Sequence, residues 1–123
     1  DVIDLTTSLA SPDCIWHTAT LYKDVVFDKV TKENWEYVTK PKVGGYLNLR
    51  KCWPTAQMIV TTSAISYIVD PNIKGQTSYC WSNAFLDQAA RKDANTLSVR
   101  LGVIDDVGYI TTGDLQRKVL EMS

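Results

Sequence analysis

The sequence predicts an α+β domain, an antiparallel sheet followed by two C-terminal helices. Three observations carry this. Gly45-Tyr46-Leu47-Asn48-Leu49-Arg50-Lys51 alternates strictly, with Leu47 and Leu49 on one face and Tyr46, Asn48 and Arg50 on the other. The first two-thirds of the chain is a series of short runs rich in Val, Ile, Thr and aromatics, separated by turn residues. After Leu86 the apolar spacing changes from two to three and four.

Taken in order, Val2 to Thr7 is a short β-branched run, closed by the turn signal Ser11-Pro12-Asp13. Ile15 to Tyr22 follows, with Trp16, Thr18, Thr20 and Tyr22 on one face. Val25 to Val30 and Trp35 to Thr39 are further strand candidates. Pro41 and Gly44-Gly45 punctuate the chain before the alternating strand. Cys52-Trp53-Pro54-Thr55 reads as a hairpin connection to the strand-like run Met58 to Val69. Asp70 to Gln76 is the clearest loop, and Ser78 to Leu86 the last strand. Ala90, Ala94, Leu97, Leu101 and Ile104 then form one helical stripe, closed by Gly108. Thr111 stands three residues before Asp114 in capping-box spacing, and Leu115, Val119 and Met122 make a second stripe. No later strand ties these helices back, so they must cover a sheet face, their own or a partner's.

Residues 1–123 suit a single domain with a real core, at 45% hydrophobic content. Thirteen basic against fourteen acidic residues give net charge -1, which argues against binding nucleic acid by bulk charge and leaves room for a local basic patch. The sequence shows no membrane-spanning apolar run and no signal-peptide pattern. It begins at Asp1 rather than Met, as a trimmed chain would. Cys14, Cys52 and Cys80 are widely spaced, with His17 as the single histidine; no metal site is expected and reduced, buried thiols are.

Enzyme chemistry is hard to assemble from these residues. Cys80-Trp81 resembles a cysteine-hydrolase nucleophile, but no histidine lies downstream to activate it, and His17 lacks a glycine-framed nucleophile turn to serve. Asp105-Asp106 and the Asp24, Asp28 pair read as solvated carboxylates, and no phosphate-cradling glycine loop appears. The expectation is a protein without catalysis or cofactor. The ring, amide and guanidinium of Tyr46, Asn48 and Arg50 suit RNA, whose bases stack on aromatic and guanidinium planes.

Leu47-Asn48-Leu49-Arg50-Lys51 before a turn and a long strand, Thr77-Ser78-Tyr79 after the loop, and a tail of matching length to Ser123 resemble the coat proteins of small single-stranded RNA bacteriophages. The resemblance implies an N-terminal hairpin and a five-stranded antiparallel sheet whose two helices lie on a partner's sheet, ten strands in the dimer. It implies an obligate homodimer that builds an icosahedral shell, found in the virion and, during assembly, in the bacterial host cytoplasm. Single-stranded viral RNA is the expected partner, with a stem-loop operator through which replicase translation is repressed. By this resemblance Tyr46, Asn48, Arg50, Lys51, Thr61, Ser63, Tyr79 and Trp81 face RNA. Ala94, Leu97, Leu101 and Leu115 form the dimer interface, and Asp70, Pro71, Asn72 and Ile73 the loop between dimers. The sequence departs from that family in lacking a lysine on the strand before Tyr79, which Lys42 and Lys51 partly replace. The alternatives are an RNA-binding β-sheet domain that forms no shell, and a cysteine hydrolase around Cys80.

Overall fold

The computed structural model describes residues 9–68 and 74–102, and within them the sheet is parallel. Its three strands are β1 (Cys14–His17), β2 (Gln57–Ser63) and β3 (Thr96–Leu101), in the order β1-β2-β3. Ile15 pairs with Met58 and Met58 with Thr96; His17 pairs with Val60 and Val60 with Ser98. Parallel neighbours need a crossover, and helices supply it. Between β1 and β2 lie α1 (Lys32–Thr39) and α2 (Gly45–Cys52); between β2 and β3 lies α3 (Thr77–Lys92).

This overturns the antiparallel coat-protein sheet. Trp35 to Thr39 lies in α1, capped by Thr31, whose hydroxyl accepts from the Asn34 amide at 3.2 Å. The alternating segment from Gly45 is α2: Tyr46 is buried, Leu49 and Arg50 half-buried, and Leu47 and Asn48 exposed, a helical spacing of three and four. Ser78 to Leu86 lies in α3, whose buried stripe is Ser78, Ser82, Asn83, Leu86 and Asp87. Four of those five are polar, so the apolar pattern conceals the helical period. Val25 to Val30 holds only a short turn of 3₁₀ helix, Phe27–Lys29. Cys52 to Thr55 joins a helix to a strand rather than two strands. The predicted helix from Ala90 is instead the end of α3, a turn at Asp93–Asn95 and β3. The predicted strand at 2–7 and second helix at 111–123 lie outside the described residues.

Helices cover one face of the sheet. Tyr46, Met58, Val60 and Leu86 form its buried core, flanked by Ile15, Leu49, Phe85 and Ala89. On the other face a row runs across the strands through Trp16, Ile59 and Leu97, and among the described residues it stays open: Trp16 is 69% and Leu97 59% exposed. Two ionic clusters lock the layers together. Asp87 on α3 accepts from Thr62 at 3.0 Å, Tyr67 at 2.6 Å, Ser98 at 2.6 Å and Arg100 Nε at 2.9 Å. Burial alone would push its carboxyl up; the bonds from Ser98, Tyr67, Arg100 and Thr62 outweigh that and hold it below the usual carboxylate range. Arg50 on α2 donates to the carbonyls of Trp53, Pro54 and Ala56 and pairs with Asp93 at 2.9 Å, fixing the loop into β2 against the turn before β3.

Candidate functional site

In a parallel sheet all strand C-termini share one edge, and open α/β sheets bind ligands there. Here that edge is marked by His17 at the end of β1 and Ser63 at the end of β2. The helix α3 must run against the strands it links, so its first turn, with Tyr79, stands at the same edge. The loops over it meet: the Val25 amide donates to the Gly75 carbonyl at 2.9 Å. Gly75 has φ 83°, and a Cβ there would lie 3.0 Å from the Val25 nitrogen, so both conformation and space call for glycine.

Four side chains gather at this edge. Tyr79 stacks against Tyr22, with ring centroids 4.8 Å and hydroxyls 3.4 Å apart. The Lys42 ammonium lies 5.8 Å from the centre of the Tyr79 ring. Asn83, one helical turn beyond Tyr79, donates its amide to the Tyr79 carbonyl at 3.1 Å. Its Oδ1 is buried and finds no partner among the described residues. Two further buried oxygens, on Thr20 and Gln76, are likewise without partners and sit in the loops over this edge. Lys42 is only 3% exposed, and burial pushes its amine down to about 8, opposed by the charge of Asp87. A buried lysine poised near neutrality next to a phenol is suited to proton transfer.

Lys42 reaches the site from a wide turn, Lys40–Gly44, inserted between α1 and α2. There the Gly45 amide bonds back to the carbonyl of Lys40, five residues earlier, as well as to that of Lys42. Such wide turns often mark functional positions in helices. His17 supports it from β1, its Nε2 lying 2.7 Å from the Lys42 carbonyl oxygen. Burial lowers the basicity of His17, the bond to the carbonyl opposes this, and the Lys42 charge adds to the lowering.

The residues expected to face RNA do not share a strand face. Tyr46, Asn48, Arg50 and Lys51 are on α2, Thr61 and Ser63 on β2, and Tyr79 and Trp81 on α3. Arg50 is committed to backbone carbonyls and Asp93, and Trp81 packs between Trp35 and Phe85. Ala94 lies in the turn before β3, while Leu97 and Leu101 are exposed on β3 rather than on an interlocking helix. Leu115 and Asp70, Pro71, Asn72 and Ile73 lie outside the described residues, as do Asp105 and Asp106. Burial raises the Cys80 thiol, opposite to what a nucleophile requires. Lys42, His17, Asn83 and Tyr22 were missed as site residues. A usable signal was Tyr79-x-x-x-Asn83, a spacing that puts both side chains on one helix face.

The fold is that of the short-chain dehydrogenases and reductases. A ketoreductase domain from the bacillaene assembly line superposes with TM-score 0.75 at 19% identity, over 98% of this chain and 31% of that one. A short chain dehydrogenase from Burkholderia cenocepacia J2315, solved in complex with NADP, gives TM-score 0.71 at 14% identity over 95% and 53%. The family model of the KR domain matches residues 4–106, and the chain belongs to that family. Among curated proteins, the highly reducing polyketide synthase curS1 of Aspergillus terreus is 34% identical over 108 residues, 79% of this chain and 4% of that protein. The highly reducing polyketide synthase PKS2 of Leptosphaeria maculans is 30% identical over 126 residues, 98% of this chain and 5% of that protein. The chain thus spans about one-twentieth of the length of these relatives.

Family membership replaces the bacteriophage coat-protein reading and everything that rested on it. The icosahedral shell, the interlocked homodimer, the viral RNA partner and the virion location all fall with it. So do the non-assembling RNA-binding sheet domain and the expectation of a protein without catalysis, because the KR match points to an oxidoreductase. Among the described residues no helix is long and apolar enough to cross a membrane, and no group of His, Cys, Asp and Glu could hold a metal ion.

Proposed function

We propose that this chain carries the proton-donating side of a ketoreductase, reducing a keto group on a polyketide-type acyl chain to a secondary alcohol. The observation that carries the reading is the Tyr79 phenol held beside the buried Lys42 amine at the strand C-terminal edge. Reducing a ketone adds a hydride to carbon and a proton to oxygen. Tyr79 supplies the proton. The ammonium of Lys42 stabilises the phenolate that remains and lowers the barrier to its formation. Tyr22, in contact with the Tyr79 hydroxyl, holds the ring in place.

A reduced nicotinamide dinucleotide, when bound, supplies the hydride. Its fit to these residues is partial. Lys42 and the unpartnered oxygens of Asn83, Gln76 and Thr20 suit the polar groups of a ligand at this edge. The sequence contains no G-x-G-x-x-G turn to cradle a pyrophosphate, and Gly44 and Gly45 lie in helical backbone.

The test is NADPH oxidation by the protein with a β-keto thioester as substrate. Tyr79→Phe should lower kcat at least about a hundredfold with KM little changed, the mark of a lost proton donor. Turnover at the unaltered rate in Tyr79→Phe, or none by the unaltered protein, would overturn the reading.

A further inference from the structure

We propose that His17 is the positioning residue for Lys42, and that position 45 is glycine so that the imidazole can reach the Lys42 carbonyl. The inference rests on the ketoreductase reading only for its kinetic arm. A carbonyl oxygen accepts and does not donate, so His17 is the tautomer with its proton on Nε2, donating at 2.7 Å. The two residues are 25 apart in sequence, so the bond ties the end of β1 to the turn between α1 and α2. That turn is where the helical register is broken. A regular α-helix commits each carbonyl to the amide four residues on. Here the Lys42 carbonyl accepts from the Gly45 amide, three residues on, and from the imidazole, a partner outside the helix, and the two together hold the wide turn open. Without it the segment can relax toward regular helix, and each residue of slippage swings a side chain by about 100°. Lys42 would then leave the Tyr79 ring.

Gly45 makes the contact sterically specific. Its backbone is ordinary right-handed helix, with φ -57° and ψ -50°, so conformation does not require glycine there. Within a helix glycine is less favourable than alanine by roughly 1 kcal/mol. Space gives the reason for it: a Cβ at position 45 would stand 2.8 Å from Cε1 of His17 and 3.4 Å from Nε2. The neighbouring Gly44 has nothing within 4 Å of such a Cβ, so the constraint is particular to position 45.

The experiment reads the Lys42 amine directly, by NMR titration of the ¹³C-labelled lysine side chain, alongside turnover. In His17→Leu the Lys42 titration should move up by about one pH unit or more, toward ordinary lysine, as the amine gains access to water. The rate of reduction should fall on the order of tenfold to a hundredfold, in kcat rather than KM. His17→Gln, which keeps an N–H donor, should recover most of both. Gly45→Ala should reproduce the His17→Leu shift in the unaltered protein and have no further effect on Lys42 in a His17→Ala background. A folded His17→Leu protein with unmoved Lys42 titration overturns the proposal, and so does a Gly45→Ala effect equal in both backgrounds. Should His17→Leu fail to fold, the Gln variant and the Gly45 pair decide alone. A Lys42 titration that follows His17 while Tyr79→Phe keeps its rate would uphold the positioning and overturn only the ketoreductase reading.

Discussion

Asp87 and Asn83 lie one turn apart on the same helix, both almost wholly buried, yet they are treated in opposite ways. The Asp87 carboxylate accepts from four side chains on three neighbouring segments. The Asn83 side-chain oxygen, one turn after Tyr79, has no partner among the described residues. The first arrangement is saturated: every donor aimed at it is matched, and it joins α3 to β2, β3 and the segment after Ser63. The second is left open, together with the buried amine of Lys42. A satisfied buried network rigidifies a fold, whereas an unsatisfied buried polar group in a native protein calls for an explanation, a bound ligand or water being one.

The largest blow to the saturated side is Asp87→Ala. It strands the donors of Thr62 and Ser98 and unpairs Arg100, so unfolding free energy should fall by about 3–5 kcal/mol in denaturant titration. An unchanged midpoint would mean the cluster is ornamental. Next is Arg50→Ala, which should cost about 2–4 kcal/mol through its ion pair and carbonyl bonds. A surface arginine would cost almost nothing, so the same titration separates the two roles.

The open side should respond with the opposite sign. Lys42 has a folded pKa of about 8, below its ordinary 10.5, so the unfolded chain binds more protons between those values and stability rises with pH across that window. The penalty is fully present below pH 8. Lys42→Met should therefore stabilise the protein by about 2–3 kcal/mol at pH 7 and flatten the rise between pH 8 and 10.5, while abolishing turnover. Destabilisation by this variant at neutral pH would show that the amine is held by bonds rather than merely buried.

The legibility of the sequence divides along the same line. The strand β2 was readable from Met58 to Ser63, because its burial alternates and most of its residues are β-branched, but the run expected to reach Val69 turns into 3₁₀ helix at Ala64–Tyr67. The helices α2 and α3 were not. Leu47 is an exposed leucine, and the buried stripe of α3 is made, apart from Leu86, of Ser78, Ser82, Asn83 and Asp87, residues that a hydrophobic pattern counts as outside. Tyr79 was singled out from sequence, but for a base-stacking role. Lys42 was noted only as spare positive charge, since nothing in Pro41-Lys42-Val43-Gly44-Gly45 announces that the lysine is buried. His17 could not be joined to it, because their contact spans 25 residues and exists only once the sheet has formed.

The wide turn at Lys40–Gly44 also bears on how such a site can be inherited. Five residues in such a turn rotate the chain about as far as four in a regular α-helix, so the extra residue is absorbed inside Lys40–Gly44. Removing one residue there would let Lys32 to Cys52 run as a continuous α-helix with Tyr46 still on the core face and Arg50 still near its carbonyls, while Lys42 alone loses its place. The place of the lysine is therefore recorded in the number of residues between two helices as much as in their kinds. A single-codon deletion in this stretch should leave the fold standing and silence the site.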